Sequence, residues 1–261
     1  REPEDWDITT SAQPEQVKAL FTRTIDTGLQ HGTVTVMLQS EGFEITTYRI
    51  DGIYEDGRHP KEVQFTSDLI EDLKRRDFTI NAMAYSKEDG IVDAFDGVGD
   101  LKRGVIKCVG DARERFSEDA LRMLRAVRFA GQLGFEIEEK TKEAILEKAP
   151  TLEKISAERI RVELDKLLCS NHPMRLVTAQ ELGITKVVLP EFDEMLATPQ
   201  NNPHHQYNVG IHSLKSVEIV HNFAKEAGLD KKMYSIMSWT ALLHDVGKPS
   251  CMTEDEQGIH H

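Results

Sequence analysis

The hydrophobic pattern of this 261-residue chain changes its period near Cys108, and this change limits the folds open to it. Before Cys108, residues 32–38 and 43–48 alternate in polarity and are rich in β-branched side chains, as half-buried strands are. After it, apolar residues recur at helical spacing over 117–133, 138–148, 157–168, 174–182, 209–227 and 232–244. We therefore predict a small α/β head followed by an all-α continuation.

Proline-containing segments divide the helical part. Residues 187–190 end in a proline and close the first series of predicted helices, and Pro-Gln-Asn-Asn-Pro at 199–203 indicates a linker. The sequence thus predicts a head at 1–107, a helical neck and body at 108–198, and a partial helical module at 204–261. Because the chain begins at Arg1 next to a strand-like stretch, we expect the head to be incomplete at its N-terminus.

Charge and cysteine usage narrow the classes of function. A net charge of −13 disfavours a simple RNA-binding module, but arginines are concentrated in residues 111–131, where a local anion contact is possible. The three cysteines show no CxxC spacing, which favours a reduced, cytoplasmic setting over a disulfide framework or a zinc ribbon. No apolar run approaches the roughly 20 residues that span a bilayer, so we expect no membrane partner.

The tripeptide Asp5-Trp6-Asp7 is the first candidate for catalytic chemistry. Side chains alternate along a strand, so both carboxylates project from one face and repel each other unless a cation lies between them. Mg²⁺ prefers such hard oxygen ligands and bridges them to phosphate oxygens. Glu44, on the next predicted strand pair, could join this site or be an ordinary outward-facing glutamate.

Two arginine-containing segments follow. Arg75-Arg76-Asp77 lies near the C-terminal end of a predicted helix. The arginines could contact a triphosphate or ribose, or they could simply be stabilised there by the helix dipole. In the second segment, Ser117 is expected to cap a helix whose Arg122, Arg125 and Arg128 form one stripe with few acids nearby. Such a stripe favours an anionic ligand, although Glu118 and Asp119 could also serve only the helix start.

Asp119 and Arg122 also suit base selection. Cytosine and adenine both present an exocyclic amine beside a ring-nitrogen acceptor, whereas uracil and guanine present the reverse order. A carboxylate that accepts from the amine and a guanidinium that donates to the ring nitrogen would select C and A without a nucleic-acid template.

These motifs, in this order, resemble the class II tRNA nucleotidyltransferases of the polymerase-β-like superfamily, which include bacterial CCA-adding enzymes and poly(A) polymerases. The resemblance covers roughly the first 170 residues. The matching segments are Asp5-Trp6-Asp7-Ile8, His31-Gly32-Thr33-Val34, residues 44–49, residues 75–82, residues 93–97 with Asp100-Leu101, residues 118–122, and Ala157-Glu158-Arg159-Ile160. The family's Gly-Gly-x-x-Arg-Asp motif is absent, in keeping with an incomplete head.

The resemblance implies template-independent addition of C, C and A to the 3′ end of tRNA from CTP and ATP, with release of pyrophosphate. It implies that Asp5 and Asp7 bind Mg²⁺ and that the loop at 51–60 acts as a lever when specificity changes from C to A. The residues it implicates in nucleotide binding are Arg76, Asp77, Glu118, Asp119, Arg122, Arg125 and Arg128. A poly(A) polymerase or an enzyme that adds only A would share nearly every motif.

The last module carries a different motif. His212 and the pair His244-Asp245, within Leu-Leu-His-Asp-Val-Gly-Lys, resemble the HD phosphohydrolase pattern and suggest a second divalent metal. An HD-type metal phosphohydrolase is therefore an alternative from another class, and a degenerate site is an equally open interpretation.

Overall fold

The computed structural model describes residues 6–52, 63–200 and 206–251, and the backbone of two short strands at 253–255 and 258–260. It divides into two units, the first containing residues 1–99 and 108–110 and the second residues 100–107 and 111–261. The predicted α/β head followed by helices is confirmed at this level. The second unit continues through the predicted linker, and the proposed division of the helical part stays a prediction.

The first unit is built on a mixed sheet and its hairpins. Its elements are β1 (Ile8–Thr10), α1 (Pro14–Leu20), β2 (Thr24–Gly28), β3 (Thr33–Leu38), β4 (Glu41–Thr47), β5 (Arg49–Asp51), β6 (Val63–Phe65), α2 (Leu69–Lys74), β7 (Ala84–Ser86) and β8 (Gly90–Val92). Strands β1, β4, β3 and β2 form the sheet in that order, with β1 parallel to β4 and the other pairs antiparallel. The β5–β6 and β7–β8 pairs are separate two-stranded sheets.

Alternation along β3 decides which face of the sheet is covered. Val34 and Val36 are buried against Val17 of α1, and Ile45 of β4 packs against the same cluster. The intervening side chains therefore point to the opposite face. The turn between β3 and β4 lies at residues 39–40, because Glu41 already pairs with Leu38.

The second unit begins within α3 (Gly97–Arg103) and is mostly helical. Its further elements are β9 (Val105–Ile106), α4 (Ala112–Glu118), α5 (Leu121–Leu133), β10 (Glu136–Ile137), α6 (Glu139–Lys148), α7 (Ala157–Leu168), α8 (Arg175–Glu181), α9 (Thr185–Val188), α10 (Pro190–Ala197), α11 (Val209–Ala227), α12 (Lys231–Leu243) and α13 (Lys248–Cys251). Helix α5 buries its apolar side against α7 and α8, and α11 and α12 form an antiparallel pair.

Two predicted helix boundaries are corrected. The helix expected over 117–133 is two helices, because Asp119 is extended (φ −143°, ψ 104°) and its Oδ1 accepts from the Leu121 N–H at 3.0 Å. Ser117 is not its cap, since its hydroxyl donates to the Arg113 carbonyl within α4. Pro190 begins α10 instead of closing the helical series, because the first turn of a helix needs no N–H from that residue.

Among the described residues, no helix is long and apolar enough to cross a membrane. The three cysteines are free thiols.

Candidate active site

The sheet face opposite α1 carries Glu44, one candidate ligand of the predicted metal site. Thr35 pairs with Glu44 and Ile8 pairs with Ile45, so the same register continued by one residue places Asp7 beside Glu44. Asp7 and Glu44 are both exposed. Asp5 lies outside the described residues. The continued register thus puts Glu44, left open by sequence reasoning, next to Asp7, the residue that directly precedes β1.

An ion-pair cluster lies between β5 and α2. Asp72 is fully buried, and Arg75 donates to its Oδ1 through Nε at 3.1 Å and Nη2 at 2.8 Å. Arg76 reaches the other oxygen, Oδ2, through Nη2 at 3.5 Å. On the strand side, the Nε of Arg49 lies 2.9 Å from Oδ1 of Asp51. Of the predicted lever at 51–60, only Asp51 and Gly52 are among the described residues.

Asp77 organises the turn after this cluster. Its side chain is buried, and Oδ1 accepts from the Phe78 N–H at 2.9 Å and from Nδ2 of Asn81 at 3.1 Å. Its carbonyl accepts from the Val109 N–H at 3.1 Å. These contacts give Asp77 a structural role, and its predicted contact with nucleotide stays a prediction.

In the second unit, Glu118 joins two arginines at the end of α4. Its Oε1 lies 2.5 Å from Nη2 of Arg115, and its Oε2 lies 2.5 Å from Nη1 of Arg122. The same Arg122 nitrogen also donates to the Arg115 carbonyl at 3.2 Å. Glu118 therefore holds the Nη1 end of the Arg122 guanidinium in place beside the break between α4 and α5.

Asp119 has a long-range partner that sequence reasoning missed. Its Oδ2 accepts from Nη2 of Arg159 in α7 at 2.7 Å, while Oδ1 serves as the cap of Leu121. Arg159 stood inside a matched family segment without an assigned role, and that match was the signal that could have identified it. Since the pair joins residues 40 positions apart, helical periodicity could not reveal it.

The expectation that Arg122, Arg125 and Arg128 lie on a face with few acids is wrong. Arg128 is only 7% exposed, and its Nε lies 2.6 Å from Oε2 of the buried Glu163. Its Nη1 donates to Gln132, and its guanidinium stacks 4.0 Å from the Phe129 ring centroid. Arg125 lies farther from that ring, at 5.4 Å. Packing of α5 against α7 brings Glu163 to Arg128, which a single-helix pattern does not show.

The predicted His-Asp residues of the last module also come together. The ligand atoms of His212, His244 and Asp245 lie within 4.8 Å of one another. Nδ1 of His244 is 2.8 Å from the Ala241 carbonyl, a contact that would orient Nε2 toward Asp245. Lys248 Nζ lies 2.8 Å from Oδ2 of Asp245. Although burial disfavours the charged carboxylate, the hydrogen bond from Lys248 and the nearby charge of His244 hold the pKa of Asp245 below its ordinary value.

Two family profiles match separate parts of the chain. The one described as "Poly A polymerase head domain" matches residues 1–107, and the one described as "Probable RNA and SrmB- binding site of polymerase A" matches residues 134–196. The first therefore includes the carboxylate face and the ion-pair cluster between β5 and α2. The second includes Arg159 and Glu163.

Curated relatives match about two thirds of the chain closely. The CCA-adding enzyme of Leuconostoc mesenteroides subsp. mesenteroides is 57% identical over 164 residues, which are 63% of this chain and 41% of that protein. The CCA-adding enzyme of Lactiplantibacillus plantarum is 53% identical over 174 residues, 67% of this chain and 43% of that protein. The chain thus spans less than half the length of these curated relatives.

Solved structures match over almost the whole chain. The Bacillus stearothermophilus CCA-adding enzyme in complex with CTP is 32% identical, with a TM-score of 0.66, over 92% of this chain and 70% of that chain. A tRNA nucleotidyltransferase complexed with a primer tRNA and an incoming ATP analog is 25% identical, with a TM-score of 0.70, over 94% and 68%. The likeness therefore extends beyond the predicted 170 residues into the last helices.

Proposed function

Because the chain belongs to the family of CCA-adding enzymes, we propose that it adds C, C and A to the 3′ end of tRNA from CTP and ATP and releases pyrophosphate. The observation that carries the proposal is the break between α4 and α5. There Asp119 offers a carboxylate acceptor and Arg122 a guanidinium donor three residues apart on the chain.

These two side chains are held in ways that suit base selection. Asp119 takes one hydrogen bond on each oxygen, from Leu121 and Arg159, and a carboxylate can accept about four. Capacity therefore remains for the exocyclic amine of cytosine or adenine. Glu118 holds Arg122 through Nη1, which limits the orientations open to the rest of the fork. A pair positioned in this way accepts from the amine and donates to the ring nitrogen, and it repels the reversed pattern of U and G.

The donor set of the first unit suits Mg²⁺. Asp7, directly before β1, and Glu44 of β4 are exposed carboxylates, and Asp5 would add a third if the strand alternation continued to it. Magnesium held by these residues would neutralise triphosphate charge and lower the pKa of the attacking 3′ hydroxyl. Because the side chains of Asp7 and Glu44 are exposed, their proposed contribution is to hold the cation.

Of the remaining predicted residues, some would contact the nucleotide and others would stabilise the elements behind the site. Arg76, whose side chain is 28% exposed, would contact the sugar region of the nucleotide, with Asp77 shaping the turn behind it. Arg128 is too buried to meet a phosphate directly and would support α5 through Glu163. Arg125, which is partly exposed, is the better candidate of the two for a phosphate contact.

The decisive experiment uses tRNA that lacks its 3′ end and resolves products at single-nucleotide steps. CTP alone should add two residues, ATP alone should add none, and both together should complete the end. A long A tail from ATP alone would instead support a poly(A) polymerase. An enzyme that adds no C, and that adds A only when the tRNA already ends in CC, would instead work after a separate CC-adding partner.

A second candidate activity resides in the His212, His244 and Asp245 cluster. Two imidazoles and a carboxylate suit a divalent transition metal, and this set would serve a metal-dependent phosphohydrolase. Lys248 competes for the same carboxylate oxygen. Calorimetric titration with Mn²⁺ or Ni²⁺ tests the site in the Asp7→Ala variant, which lacks the first unit's cation ligand, and adding Asp245→Asn should abolish the heat of binding that remains. We also infer a cytoplasmic location from the free cysteines and the tRNA substrate.

A further inference from the structure

One buried carboxylate in the first unit has no role in the proposed reaction so far. Asp72 in α2 has no exposed surface, and a buried charge is costly unless its partners compensate. Its Oδ1 accepts from the backbone N–H of Arg49 at 3.2 Å and from two nitrogens of Arg75. This single oxygen therefore links α2 to strand β5.

The other oxygen of Asp72 is used differently. Among the described residues, Oδ2 is buried and receives no hydrogen bond, and Nη2 of Arg76 lies 3.5 Å from it. Arg76 makes one further long contact, from Nη1 to the Asn81 carbonyl at 3.4 Å. The Arg76 guanidinium is thus oriented mainly by the charge of Asp72. It makes no hydrogen bond to Asp72, so its N–H groups can still donate to a ligand.

The two neighbouring arginines consequently differ. Arg75 donates to Asp72 through two nitrogens, and its Nη1 lies 3.7 Å from Oδ2 of Asp51. Its guanidinium therefore interacts with carboxylates of the protein itself. Arg76 is more exposed, with 28% of its side chain accessible against 20% for Arg75. An anionic ligand that approached Arg76 could form short hydrogen bonds without breaking one to Asp72.

Strand β5, on one side of this ion-pair cluster, directly precedes the segment predicted to act as the lever. Arg49 begins β5, its Nε pairs with Asp51, and its Nη1 donates to the His31 carbonyl at 2.7 Å. Strand β5 ends at Asp51, where the segment predicted to act as the lever starts. The bond from the Arg49 N–H to Asp72 therefore fixes strand β5 to α2, the helix that precedes Arg76.

We propose that Asp72 is a positioning residue for nucleotide binding, which holds Arg76 toward the triphosphate or sugar by charge and fixes β5 by its other oxygen. This inference rests on the proposed nucleotide transfer but concerns the binding step alone. It predicts that the negative charge of Asp72 matters for affinity, beyond its contribution to folding.

The test measures CTP and ATP binding by calorimetry in the full chain, without tRNA. Asp72→Asn keeps an oxygen for Arg49 and Arg75 but removes the charge that orients Arg76, so both dissociation constants should rise about tenfold. Arg76→Gln should have a similar effect. The double variant should bind no more weakly than Arg76→Gln, because a residue that acts through Arg76 has nothing left to position.

Two further variants separate positioning from folding. Asp72→Glu keeps the charge and should bind within about threefold of wild type, even where its larger side chain lowers the melting temperature. Asp165→Asn is the matched control, a partly buried helical aspartate in the second unit that accepts from Ser235 and Trp239. It should lower the melting temperature without changing nucleotide affinity.

The outcomes distinguish this inference from the proposed function. A chain that binds CTP, loses affinity in Asp72→Asn and yet transfers no nucleotide would keep the inference and reject the transferase. Normal transfer with unchanged affinity in Asp72→Asn would overturn the inference alone. Equal weakening by Asn and Glu at this position, or a wild type that binds neither nucleotide, would also overturn it.

Discussion

Replacement of Asp119 by asparagine separates base selection from helix capping. The carboxylate now accepts from the Leu121 N–H at 3.0 Å and from Arg159 at 2.7 Å. The Asp119→Asn variant keeps one oxygen for the cap but replaces the other acceptor with an NH₂ donor. A donor at that position no longer matches the amine of C or A and instead suits the carbonyl oxygen of U or G.

The expected magnitudes differ for the two roles. Loss of a charge-assisted contact to the base should cost about 1.5–3 kcal/mol, or roughly ten- to hundredfold in discrimination. The side chains of Asp119 and Arg159 are 16% and 21% exposed, so the loss of their ion pair should cost about 1–3 kcal/mol of folding stability. For a protein of this size, each kcal/mol lowers the melting temperature by about 2–4 °C.

The assay is single-turnover incorporation of all four NTPs onto one tRNA, with thermal unfolding recorded in parallel. Asp111→Asn is the matched control, because Asp111 caps α4 by accepting from the Arg113 N–H at 2.8 Å and has no proposed contact with a base. The control should leave selectivity unchanged. Unaltered selectivity in Asp119→Asn together with a lowered melting temperature would reduce Asp119 to a capping and ion-pairing residue.

Three further predictions follow from the same structure. Asp7→Ala should abolish nucleotide addition with little change in melting temperature, because the side chain is exposed; near-normal incorporation with magnesium would contradict the metal assignment. Glu163→Gln should lower the free energy of unfolding by about 3–5 kcal/mol, since Arg128 would remain buried without its anion, and urea titration would measure this. Burial, with the charge of Lys225, lowers the pKa of His221, so the unfolded chain binds the proton more readily than the folded one. The contribution of His221 to stability should therefore be full above its ordinary pKa of about 6.5 and decline as the pH falls below that value. The melting temperature of His221→Gln should accordingly change less with pH than that of the wild type between about pH 5 and 7.5.

Much of the fold was accessible from local patterns. Alternation predicted β3 and β4, and helical spacing predicted α6, α7, α11 and α12 to within a residue or two. These features depend on which side chains face a core, a property that a window of a dozen residues records. The break at Asp119 was missed because apolar spacing continues across it, while the side-chain cap that interrupts the helix leaves no periodic signal.

The sequence alone determined the chemistry that the candidate sites can contain: the carboxylates on the first strands, the arginines at 75–76 and the acid-arginine motif at 118–122. The tertiary structure decided how each charge is used. It paired Arg128 with Glu163 and Asp119 with Arg159, and it brought the backbone N–H of Arg49 to the buried carboxylate of Asp72. Ion pairs across helices and strands depend on how elements pack, and one local pattern is compatible with many partners. Burial then separates an arginine that supports the fold from one that can meet a ligand, because only the exposed guanidinium can exchange water for a phosphate or a base.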